Sequence, residues 1–127
     1  MENYKQGKPV HEKDRDFLVY DLDVPQMLEK LLKIPGTELI ASNPCFELWL
    51  LLHFQEQTGE INAGECEARL ATHTGHYKKG EINRKLRKQL DSKQDKAANR
   101  ACKLKAYDNP STQVHDLIKA IEEAKEG

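Results

Sequence analysis

The sequence predicts an α/β domain, a small parallel sheet with crossover helices followed by a mainly helical C-terminal region. Three observations carry that expectation. Two short apolar runs, at residues 17–20 and 38–41, have strand length. Between them Met27, Leu28, Leu31 and Leu32 recur with helical spacing. Directly after the second run, residues 46–54 are apolar apart from Glu47 and His53, as a deeply buried helix requires.

The elements follow in order. Residues 1–16 form a polar lead-in containing Gly7 and Pro9, expected to be flexible, and residues 17–127 a single domain. The run at 17–20 reads as a buried strand that ends in Asp21-Leu22-Asp23. Pro25 opens a helix that Pro35-Gly36 stops. A second strand at 38–41 meets a polar break at Ser42 and Asn43, and Pro44 leads into the apolar helix with Asn43 as its cap. Strand, helix, strand, helix at this spacing implies parallel strands joined by a right-handed crossover. Both strand-to-helix turns then open onto one carboxyl edge, where α/β sheets bind ligands. Residues 58–64 form a loop, and 65–71 a short helix. Another loop spans 73–80, and an amphipathic helix spans 81–105. Asn109-Pro110 repeats the cap-plus-proline start, before a last helix striped by Val114, Leu117, Ile118 and Ile121.

At 127 residues the chain has room for one core. A charged fraction of 32% and a hydrophobic fraction of 38% suit a polar-surfaced folded domain. No run reaches the length of a membrane span, and the first residues lack the apolar stretch of a signal peptide. Three cysteines without metal-type pairing point to a reducing cytoplasm. The net charge of −1 conceals an asymmetry: residues 77–105 hold eleven Lys or Arg against Glu81, Asp91 and Asp95.

Asp21 and Asp23 flank a turn at a strand end. Such hard oxygen donors suit Mg²⁺, which takes one or two protein carboxylates. Asp23 alternatively caps the next helix, with Gln26 in capping-box spacing, which leaves Asp21 without a role. Glu47 lies in the first turn of an apolar helix, where a buried carboxylate needs a partner, a proton or a metal. It is either a third acidic group of the site, as ligand or base, or half of a structural ion pair. Ser42 and Asn43 precede a helix start and serve either as a phosphate site or as plain caps. Lys78, Lys79, Arg84, Arg87 and Lys88 belong to a stretch that tracks a nucleic-acid backbone or simply solvates a helix. Cys66, His73 and His76 match no standard zinc spacing. His53 reads as a partner for a helix C-terminal dipole, and Cys45 and Cys102 as small core residues.

The phrase IASNPCFELWLLLHF at 40–54, the strand ending in DLD, YKKG at 77–80 and NPSTQVHDLIKAI at 109–121 together resemble the RloB-like family. The resemblance spans most of the chain from Phe17 onward. It implies a Toprim-like core, with Asp21 and Asp23 on the Asp-x-Asp motif that binds Mg²⁺ (or Mn²⁺), and Ser42, Asn43 and Glu47 on the family's own signature. The activity it implies is a metal-dependent nuclease acting on RNA or DNA in phage-defence or abortive-infection loci. It also implies an AAA-type ATPase partner, so the alternative role is a non-catalytic interaction subunit of such a complex. Against that pattern the chain departs at one point, lacking the N-terminal strand and glutamate of a Toprim core. Glu2 and Glu12 lie in the polar lead-in and are no substitute. A missing edge would leave a strand exposed for pairing with a second copy, as a homodimer.

Overall fold

The computed structural model describes residues 7–12, 15–22, 26–75, 77, 78 and 81–126. Strand β1 (Gly7–Glu12) and strand β2 (Arg15–Asp21) form an antiparallel hairpin running from Gly7↔Tyr20 to Glu12↔Arg15. After helix α1 (Met27–Leu32) comes β3 (Thr37–Asn43), which pairs parallel to β2 from Asp16↔Thr37 to Asp21↔Ser42. Helices α2 (Glu47–Leu52), α3 (Ala63–Thr74) and α4 (Arg84–Ala101) follow. A two-residue strand, β4 (Ser111–Thr112), adds antiparallel to β3 before α5 (Val114–Glu126). The sheet order is β1-β2-β3-β4.

The α/β class, the parallel pair and the helical C-terminal region are as the sequence predicts. The sheet is mixed, however, with β2–β3 its only parallel pair among the described residues. The lead-in is corrected as well. Residues 7–12 form β1, because a polar sequence still forms strand when its backbone groups find a neighbour's ladder.

Alternation along β2 and β3 sends side chains to two layers. Phe17, Val19 and Ile40 join the main core with α2 to α5, while Leu18, Tyr20, Leu39 and Ala41 join a smaller cluster with Met27, Leu28 and Leu31 of α1. Every residue of α2, from Glu47 to Leu52, is buried, so α2 is the centre of the large layer.

Local chemistry sets the other boundaries. The α1 helix gives way to a turn at Pro35-Gly36, where Gly36 takes φ +75, a conformation that glycine adopts without steric cost. Asn62 and Glu65 form a reciprocal capping box at the start of α3, extending that helix beyond the expected 65–71. Asn83 caps α4 by accepting from the Leu86 N–H at 2.8 Å, so the helix starts later than residue 81. Asn109 caps no helix. Its amide accepts from the Ile61 N–H at 3.0 Å and donates to the Ile61 carbonyl at 2.7 Å, tying the loop after α2 to the approach to β4. Cys45 and Cys66 are core residues, whereas Cys102 is exposed, against the expectation of a buried thiol.

Candidate active site at the amino end of α2

The carboxyl ends of β2 and β3 lie side by side, Asp21 opposite Ser42, and the chain enters α2 immediately beyond. A helix starts with unpaired backbone N–H groups. Phe46, the residue before α2, offers no side-chain cap, and Asn43 does not cap the helix either. Asp21 fills that role from a distance of 25 residues, its Oδ1 accepting from the Phe46 N–H at 3.0 Å. A charged acceptor on a helix-start N–H is among the stronger hydrogen bonds.

Glu47 is the next residue along, 5% exposed, its Oε2 accepting from the Tyr77 hydroxyl at 2.7 Å. A phenol thus donates to this oxygen. Tyr77 in turn walls a pocket of about 290 Å³ with Thr74, Lys78, Glu81, Asn83 and Leu86. Through Tyr77 the acidic turn is joined to the N-terminus of α4. That terminus is unusual in carrying Arg84, Lys85, Arg87 and Lys88 with no acidic residue in its first turn. Cations at the positive end of a helix dipole oppose the usual preference, and they leave a strongly positive corner.

The remaining candidates divide. Ser42 Oγ lies 2.7 Å from Thr112 Oγ1, both buried, and Asn43 Nδ2 donates to the Tyr107 carbonyl at 3.0 Å. Both side chains are engaged in joining β3 to β4 and to the loop before it. Lys78, Arg84, Arg87 and Lys88 are exposed. Asp23 and Lys79 lie outside the described residues. Glu12 closes the β1–β2 hairpin at the end of β2 opposite Asp21. With about 3.3 Å per residue, that places it roughly 20 Å from the acidic turn, too far to serve there.

Next to Glu47 the Cys45 thiol exchanges a hydrogen bond with Cys66. That bond, reinforced by burial, pushes the Cys45 pKa up, while the same bond pulls Cys66 down. At the other end of α2, burial pushes the His53 pKa down and favours the neutral ring, whose Nδ1 lies 2.9 Å from the Trp49 carbonyl. His53 is therefore no cationic dipole partner. Arg100 takes that place, donating to the Leu52 carbonyl at 2.7 Å.

Tyr77 is the site residue that sequence reasoning missed. Its only signal was its place in the YKKG phrase, since nothing local links a loop tyrosine to a glutamate thirty residues earlier.

Among the described residues no group of three His, Cys, Asp or Glu side chains converges as a metal site. No helix among them is long and apolar enough to cross a membrane. Fold and site together define a small mixed α/β domain with an acidic turn where its parallel strands end. The chain belongs to the RloB-like protein family, whose model matches residues 1–121. No curated protein and no solved structure matches it.

Proposed function

We propose that the chain is a Toprim-like, Mg²⁺- or Mn²⁺-dependent phosphodiesterase that cleaves RNA or DNA in a phage-defence or abortive-infection setting. The observation that carries this reading is the hydrogen bond from the Phe46 N–H to Asp21, which ties the end of β2 to the start of α2, where Glu47 is the first residue. The family membership and the positive corner at the start of α4 support it further.

The donor chemistry fits the ion, since Mg²⁺ needs only one or two carboxylates and keeps waters for the rest of its shell. Asp21 and Asp23 would hold it. Such an ion supplies charge stabilisation at a phosphate and a more acidic bound water. Glu47, fixed by Tyr77, would accept a proton from water. Lys78, Arg84, Arg87 and Lys88 would draw the nucleic-acid backbone toward the acidic turn. Ser42 and Asn43 would shape the phosphate-side turn through backbone rather than side chain, because both side chains are already bonded.

The test is Mg²⁺-dependent cleavage of RNA and DNA by the purified chain beside Asp21→Asn. Asparagine retains an oxygen for the Phe46 N–H and removes the charge. Activity should fall about a hundredfold, the scale of a disturbed metal site. Equal activity in the two proteins would eliminate the nuclease.

One observation favours a second reading, a non-catalytic interaction subunit of an AAA-type ATPase complex. Glu47 is almost wholly buried against Tyr77, which is also how a structural carboxylate is satisfied. On that reading neither protein cleaves nucleic acid, and Asp21→Asn lowers only stability.

A further inference from the structure

The outer edge of β3 is covered for only part of its length. Ser42 turns its backbone toward β2, its carbonyl accepting from the Leu22 N–H at 2.8 Å. Ala41 turns the other way. Its carbonyl accepts from the Gln113 N–H at 3.0 Å, and its N–H donates to the Gln113 side-chain oxygen at 3.1 Å. Strand alternation therefore turns the backbone groups of Leu39 and Thr37 to the same side as Ala41. Among the described residues no strand reaches them there, because β4 pairs only with Ser42 and Asn43. The Gln113 side chain ends the ladder by standing in for a strand residue, and α5 then carries the chain away.

Alongside this open edge runs a groove of about 680 Å³. Its two sides differ in chemistry. On the α1 face it is apolar, with Leu32, which is 53% exposed, beside Leu39 and Tyr107. On the α5 face it presents Asp116 and Glu123, with Lys119 between them. A neighbouring cleft between α4 and α5 adds Asp91, Asp95 and Glu122. With Glu38 of β3, which also lines the groove, six carboxylates stand against the ammonium of Lys119 in the linings of groove and cleft.

We propose that this edge is a docking site for an extended segment of a partner polypeptide, which adds to the sheet beside Thr37–Ile40. An edge of backbone N–H and C=O groups calls for a strand backbone. Successive side chains of an added strand face opposite layers. One set meets Leu32, Leu39 and Tyr107 and is aliphatic, while the alternate set meets Asp116 and Glu123 and carries Lys or Arg. The same carboxylates repel a nucleic acid. A second copy is also disfavoured, since two-fold pairing of β3 with β3 would set Asp116 and Glu123 of one α5 against those of the other. The docking edge is independent of the phosphodiesterase reading, which uses the acidic turn and the cationic residues at the start of α4.

The test uses two extended peptides on the intact chain, one alternating Lys with Val and one alternating Glu with Val. Binding is measured by fluorescence anisotropy, and edge occupancy by amide hydrogen exchange at Leu39. The Lys-Val peptide should bind at least about tenfold more tightly than the Glu-Val peptide. It should slow exchange at Leu39, and Asp116→Lys with Glu123→Lys should remove about tenfold of its affinity. Equal binding of the two peptides, or binding that leaves the Leu39 amide unchanged, would overturn the proposal. So would a dimer in sedimentation whose own association protects Leu39, or protection of that amide by single-stranded RNA.

Discussion

At the scale of single residues, Glu47 and His53 show how α2 deals with its two polar side chains. Glu47 is satisfied by the Tyr77 hydroxyl, so Tyr77→Phe should cost about 1.5–3 kcal/mol, the range for a hydrogen bond to a charged group. The urea midpoint of the variant measures this, and the loss should shrink in a Glu47→Gln background, where the acceptor is neutral. His53 follows a different rule. Burial lowers its pKa in the folded chain below the ordinary value of about 6.5, so the unfolded chain binds more protons as the pH falls through that value. The stability held by the neutral ring is present above about pH 6.5 and is lost progressively below it. A thermal-unfolding series from neutral to acidic pH should therefore fall more steeply for wild type than for His53→Asn, which cannot be protonated in that range. Parallel slopes would show that burial of His53 contributes nothing to the pH dependence.

Among the elements, α2 was the most legible and its surroundings the least. Residues 46–54 announce a buried helix by composition, and all six residues of α2 are buried. Leu51 is fully buried, so Leu51→Ala should destabilise by about 2–5 kcal/mol, read from the denaturant midpoint at unchanged slope. What the sequence could not convey is how α2 begins. Asn43 and Pro44 look like a cap and a first turn, but the helix starts at Glu47 and is met by Asp21 across the sheet. Asn109-Pro110 misled in the same way. The pattern is that of a helix start, but the Asn109 amide is taken by Ile61, and a two-residue strand intervenes before α5. Strand β1 escaped notice because a polar edge strand needs no apolar alternation, only a partner for its backbone.

Across the whole molecule, charge is divided. The cationic side opens at the start of α4, while the carboxylates of Asp91, Asp95, Asp116, Glu122 and Glu123 line the groove and cleft around α5. If Arg84 and Arg87 each neutralise a phosphate, replacing both with alanine should weaken nucleic-acid binding across sequences. The slope of log affinity against log salt should become shallower by about 0.7–0.9 for each phosphate that is no longer neutralised. An unchanged slope would place the backbone elsewhere.

The α/β class, the buried helix, the parallel pair and the candidate acidic residues could all be read from the amino-acid sequence, because each depends on periodicity and composition within a short window. Which of those residues meet was settled by packing in three dimensions. Asp21 reaches the Phe46 N–H, Tyr77 reaches Glu47, and Ser42 is taken by Thr112. These bonds join segments far apart along the chain, and they follow from how sheet and helices stack on one another rather than from any local pattern.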